Sequence, residues 1–330
     1  VAVFLLLLGG YYYVCWKFLG HLLRIFKESP LFVFPRAEPS PNAEDVRFPT
    51  TNGLLLQGCY FKTAQPQRKG VILFGLEFGS NRWSCQPYCE KLVQDGYDVF
   101  AFEPRNQGNS DRMENYNALH WLTTYEVEDT QAAIAYLKGR NDADPKGIGF
   151  FGISKGANAG IVAASLDRYV RCIATDGAFG TYTTMVPYMR KFVVHYNKNF
   201  LVHGLLPGWF YGVVAMTALR RIQRETGTTF AHVETALRRY KRPLLMIHGE
   251  SDTYIKVTMA RTLLEYASGP KGFWVVNGAK HNQSLQIAGE EYHRRICEFF
   301  NENLAGEEGE ARVLVPTTVP PEPVLSGQTS

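Results

Sequence analysis

Residues 150–160 read FFGISKGANAG, one serine held between glycines, with an apolar run before it and an alanine-rich run after it. Glycine-rich turns between a strand and a helix serve two chemistries: cradling a phosphate at a helix N-terminus, or presenting a nucleophile on a sharp elbow. A phosphate loop needs G-x-x-x-x-G-K-[ST], but here Lys155 directly follows Ser154 and Gly156 follows the lysine. A dinucleotide loop would need G-x-G-x-x-G after the first strand of its unit, which this stretch does not offer. What stands is Gly152-Ile153-Ser154-Lys155-Gly156, a G-x-S-x-G. Gly152 and Gly156 are the elbow glycines, because so tight a turn leaves no room for Cβ atoms against neighbouring elements.

The surroundings of the elbow follow one rhythm. GVILF (70–74), YDVFAF (97–102), GIGFFG (147–152), VRCIATD (170–176), PLLMIHG (243–249) and GFWVVNG (272–278) are short apolar runs, the pattern of parallel strands buried on both faces. Between them lie helical spacings, clearest at Val127, Ile134 and Leu137. Ahead of them, Asn52-Gly53 precedes LLLQGCYF and predicts an antiparallel hairpin opening the domain. Strand and helix alternate, which predicts an α/β chain with a mostly parallel central sheet flanked by helices and its chemistry at the carboxyl ends of the strands.

A serine needs a base, and the base an orienting acid. In this topology they are expected in the order Ser, acid, His, each just beyond a strand end. Asp252 follows PLLMIHGES and His281 follows GFWVVNGAK, so Ser154, Asp252 and His281 are the candidate catalytic residues. Asp176 also ends a buried strand and competes with Asp252 for the acid. His195, His203, His232 and His293 read as solvated or packed. A tetrahedral oxyanion would be received by the backbone N–H groups of Lys155 and of Leu76, the latter in the loop after the first central strand. No metal or organic cofactor is required by this chemistry.

Two segments extend the plan. More than sixty residues separate Asp176 from Pro243 where one crossover helix would suffice, and they predict a helical cap over about 180–240. Its aromatics, among them Tyr182, Tyr188, Phe192, Trp209, Phe210 and Tyr211, together with Phe179 just before it, would line an acyl pocket. At the other end, VAVFLLLLGGYYYVCW runs sixteen residues without a charge, and about 20 apolar residues cross a bilayer. Residues 1–26 are therefore expected to form a single-pass membrane anchor, with Tyr11, Tyr12, Tyr13 and Trp16 as an interfacial belt. A proline-broken linker (27–43), the catalytic body (44–304) and a disordered tail (305–330) would follow. The 35 basic and 31 acidic residues show no block of one sign, so no nucleic-acid partner is implied. The six cysteines are scattered, with no metal-binding spacing.

Taken in order, EDVRFPTTNGLLLQGCYF, GYDVFAFEPRNQGNS, GISKGANAG, LLMIHGESD and GAKHN resemble the α/β-hydrolase superfamily over about residues 30–303, and within it the membrane-anchored BEM46-like and ABHD13-like group. The resemblance implies the α/β-hydrolase fold, with Ser154 as nucleophile, His281 as base then acid, and Asp252 as orienter. It implies a serine hydrolase acting on a small-molecule or lipid-like acyl substrate, an ester or thioester. EPRNQGNS stands where that family has a structural D-x-R-G-x-G-x-S turn. One departure is Phe74-Gly75 in place of His-Gly, followed by Glu77. A carboxylate near an oxyanion opposes catalysis, so Glu77 is expected to turn away or to pair with Arg82 or Lys155. Two other readings remain at this stage: a serine peptidase of the same fold, with Glu77 receiving a peptide N-terminus, and a non-catalytic binding protein that retains the fold.

Overall fold

The structure is a computed structural model that describes residues 2–27, 36–196 and 206–306. Part of the expected linker, part of the cap insertion and the tail beyond Gly306 lie outside the described residues.

Eight strands form one sheet: β1 (Ala43–Pro49), β2 (Leu55–Phe61), β3 (Gly70–Gly75), β4 (Tyr97–Glu103), β5 (Ile148–Ile153), β6 (Val170–Asp176), β7 (Leu244–Gly249) and β8 (Lys271–Val276). Their order is β1-β2-β4-β3-β5-β6-β7-β8. The expected opening hairpin is present: β1 and β2 pair antiparallel around Gly53, whose φ of 87° suits the turn. From β4 to β8 every pairing is parallel. Every residue of β3, β4, β5 and β7 is buried, which is why these strands read as unbroken apolar runs.

Among the described residues ten α-helices accompany the sheet: α1 (Ala2–Lys27), α2 (Gln86–Gln94), α3 (Thr124–Gly139), α4 (Lys155–Leu166), α5 (Tyr182–Tyr196), α6 (Gly208–Thr226), α7 (Val233–Arg239), α8 (Val257–Glu265), α9 (Ser284–Ala288) and α10 (Glu290–Phe300). Helix α3 starts at a capping box, with Thr123 and Glu126 satisfying each other's backbone donors. Its Val127, Ile134 and Leu137 are buried in the core on one side of the sheet, with α4 and α7. On the other side, α2 and α10 cover Phe74, Phe151 and Trp274.

A third apolar cluster joins α1 to the cap helices α5 and α6. Leu7, Tyr11, Val14 and Phe18, spaced four, three and four apart, share one face of α1 and meet the cap together with Leu19 and Leu23. The Tyr11 hydroxyl and Thr217 Oγ1 are 2.9 Å apart, and the rings of Phe18 and Phe192 meet edge to face at 5.8 Å. The span Val3–Gly20 is long and apolar enough to cross a membrane. It is nonetheless seated on the body rather than standing clear of it. Residues 36–42 are also fastened to the body: Ala37 N–H donates to Asn81 Oδ1, and Asn81 Nδ2 donates to the Ala37 carbonyl. The aromatics expected in a pocket divide accordingly, since Phe179, Phe210 and Tyr211 are buried whereas Trp209 is 59% exposed and points outward.

Candidate active site

The elbow begins where β5 ends. Ser154 takes φ 51° and ψ −117°, a backbone conformation unfavourable for a residue with a Cβ, and its N–H donates to the Asp176 carbonyl at the end of β6. Such strain persists only where the surroundings enforce it. A Cβ on Gly156 would lie 2.3 Å from the Gly75 carbonyl carbon, and one on Gly152 would lie 2.8 Å from the Ala157 backbone. The two glycines thus let α4 pack directly on the end of β3. Leu76, the first residue beyond β3, and Lys155, the first of α4, accordingly flank the serine.

The Ser154 Oγ hydroxyl lies 3.0 Å from His281 Nε2, and His281 Nδ1 lies 2.6 Å from Asp252 Oδ2. Ser154 and Asp252 are 8% and 4% exposed. The other carboxylate oxygen of Asp252 accepts the Tyr254 and Ile255 N–H groups at 2.8 and 2.9 Å, so the loop after β7 holds the acid in one orientation. His248, buried at the end of β7, donates from Nε2 to the Ile255 carbonyl, and burial pushes its pKa down. Tyr254 sets its ring 6.1 Å from that of His281. Asp176 is engaged elsewhere: it accepts from Ser284 Oγ at 2.9 Å and from the Tyr292 hydroxyl at 3.0 Å. Burial pushes its pKa up to about 6, despite those bonds. The chain of contacts can move a proton from a serine hydroxyl to an imidazole whose cation a carboxylate stabilises.

Glu77 pairs with neither expected cation. Arg82 binds Glu103 and Asp45, while Lys155 donates to Glu126 at 2.7 Å and to the Leu119 carbonyl. Glu77 instead accepts from Asn282 Nδ2, on the residue after His281, which tethers the loop beyond β3 to the histidine loop. Burial pushes the Glu77 pKa up to about 7, with Asn282 and His281 partly offsetting it. Between its ordinary value of 4.5 and about 7 the folded chain keeps a proton that the unfolded chain releases, so this group lowers stability as pH rises through that window. Glu77→Gln is therefore expected to raise the thermal midpoint at pH 8 and leave it unchanged at pH 4, as calorimetry at both values would record.

The Lys155–Glu126 pair is almost fully buried, with side chains 4% and 2% exposed. Burial pushes the Glu126 carboxyl up, but Lys155 and hydrogen bonds from Thr123 and Tyr116 outweigh it and hold its pKa below the ordinary value. Lys155→Met would strand that carboxylate, at a cost of about 3–5 kcal/mol. The urea midpoint should fall accordingly, and an unchanged midpoint would mean that the pair contributes nothing. Sequence reasoning missed this pair, the Asn282 tether and the His248 support. Only Asn282 carried a signal, its place directly after His281.

A family model described as the alpha/beta hydrolase fold matches residues 71–237. The chain is 24% identical over 268 residues to an uncharacterised protein, YfhR, of Escherichia coli K12, covering 79% of this chain and 82% of that one. It is 29% identical over 130 residues to the thiohydrolase aneE of Aspergillus aculeatus, 39% of each chain. The solved structure of the Pyrococcus furiosus esterase Pf2001 superimposes with a TM-score of 0.61 at 23% identity, covering 84% of this chain and all of that one. Since the family model spans slightly more than half of the 330 residues, and the sheet order and elbow accord with it, the chain belongs to the alpha/beta hydrolase fold family.

Proposed function

We propose that the protein is a serine hydrolase that cleaves a carboxylic ester or thioester through an acyl-enzyme, within the BEM46-like and ABHD13-like group. The observation that carries this reading is the continuous contact from Ser154 Oγ through His281 to Asp252 on a strained elbow. His281 Nε2 takes the Ser154 proton as Oγ attacks the carbonyl carbon, and Asp252 stabilises the resulting imidazolium. The Leu76 and Lys155 N–H groups receive the oxyanion. On collapse the leaving alkoxide or thiolate takes the proton from Nε2, and water then repeats the sequence on the acyl-Ser154 ester. The similarity to a thiohydrolase supports an acyl group as the bound group, and the apolar α1 supports association with a membrane. The peptidase alternative is disfavoured because the Glu77 carboxylate already accepts from Asn282.

A fluorophosphonate probe tests the chemistry: stoichiometric labelling and a burst of the leaving group from an activated ester are expected. A protein that neither labels nor turns over would be a binding protein with a hydrolase fold. Rates across a series of acyl lengths test the pocket, with a maximum expected at medium or long chains rather than at acetate.

A further inference from the structure

We infer that α1 lies along an anionic bilayer surface as part of the cap, and that α1 and α6 together make the membrane-docking face. This rests on the membrane association proposed above and replaces a lone spanning anchor with a composite surface.

The seam comes first. From Leu7 to Leu23 one side of α1 is occupied by the cap, so only its first turns are free of protein. Those few residues, at 1.5 Å each, reach well short of the roughly 30 Å that a crossing requires. Driving the rest of α1 through the bilayer would carry α6 with it, and α6 presents exposed Arg220, Arg221 and Arg224. Charges of that kind are costly in hydrocarbon and favourable at an anionic headgroup surface.

The free side of α1 is apolar and aromatic: Phe4, Leu6, Tyr12 and Tyr13 are exposed, and Trp16 is 81% exposed. The same character continues onto α6. Trp209, Val213 and Thr217 are spaced four apart on one face, and Thr217 is the residue that contacts Tyr11, so this stripe runs beside α1. An exposed apolar surface of this kind marks an interaction site. Lys17 and Arg24 on α1, with Arg220 and Arg224 on α6, supply the complementary charge, while Arg221 pairs with Glu225. A bilayer offers both partners at once, an acyl interior and phosphate headgroups.

The arrangement also reaches the candidate site. On α5, Phe192 packs against Phe18 of α1, and one turn earlier the Tyr188 hydroxyl donates to the Tyr254 carbonyl, beside His281. Docking α1 and α6 therefore holds the cap at the lipid surface, where an acyl chain can pass directly from the bilayer.

The test uses the full chain and vesicles of phosphatidylcholine with phosphatidylserine. Wild type is expected to float with them, and Trp209→Glu/Val213→Glu to partition about ten-fold or more weakly. Hydrolysis of a soluble short-chain ester should be unchanged in the variant, while hydrolysis of a long-chain ester carried in the vesicles falls. Should the double substitution impair folding, Trp209→Ser, at an exposed position, gives the same reading with a smaller effect. Undiminished flotation of these variants would overturn the composite face and leave α1 as a sufficient anchor. Failure of wild type to float would overturn the membrane association itself.

Discussion

Ser154→Ala is expected to abolish fluorophosphonate labelling and to lower turnover of an activated ester by as much as about 10⁶-fold. The substitution removes the attacking oxygen and the acceptor of the acyl group, while His281 and Asp252 remain with nothing to activate. Because the one hydrogen bond of the Ser154 side chain among the described residues is that with His281, the loss should come with little change in the unfolding midpoint. Labelling that persists on the variant would place the nucleophile elsewhere and overturn the assignment.

The second large effect separates two buried carboxylates. Asp252→Asn leaves the shape of the site but replaces an anion facing His281 Nδ1 with an amide, which favours the wrong tautomer and removes the charge that stabilises the imidazolium. A loss of about 10⁴-fold in kcat is expected. Asp176→Asn disturbs bonds to Ser284 and Tyr292 instead, a cost of about 1–3 kcal/mol in stability with a much smaller effect on kcat. Pairing each rate with its urea midpoint decides the matter. A greater kinetic loss at Asp176, with stability intact, would reverse the roles.

The strands were legible because burial on both faces demands continuous apolar runs; those at 70, 97, 147, 170, 243 and 272 all begin within a residue of observed strands. Their lateral order was not legible, since β3 lies between β4 and β5 through contacts that leave no local trace. Around the elbow, Ser154, Asp252 and His281 could be picked out by their places after strand ends, and their meeting is a consequence of β5, β6, β7 and β8 being neighbours. The partner of Glu77 was not legible, for the opposite reason. That partner, Asn282, is 205 residues away, whereas Arg82 and Lys155, the two cations named for it, are taken by other acids. The seating of α1 was hidden differently: the spacing Leu7, Tyr11, Val14, Phe18 is that of a packing face, but nearly every residue between is also apolar, so no contrast reveals it.

That seating has a consequence for the order of events during synthesis. Tyr11 and its partner Thr217 are 206 residues apart, and at ordinary elongation rates α1 leaves the ribosome roughly 10–40 s before α6 is complete. Throughout that interval both sides of α1 are bare, the seam included. A membrane or a targeting factor therefore meets a helix whose seam and outer side are both uncovered, and the cap must later reclaim one of its faces. The finished molecule, with that face covered, offers a bilayer only the other.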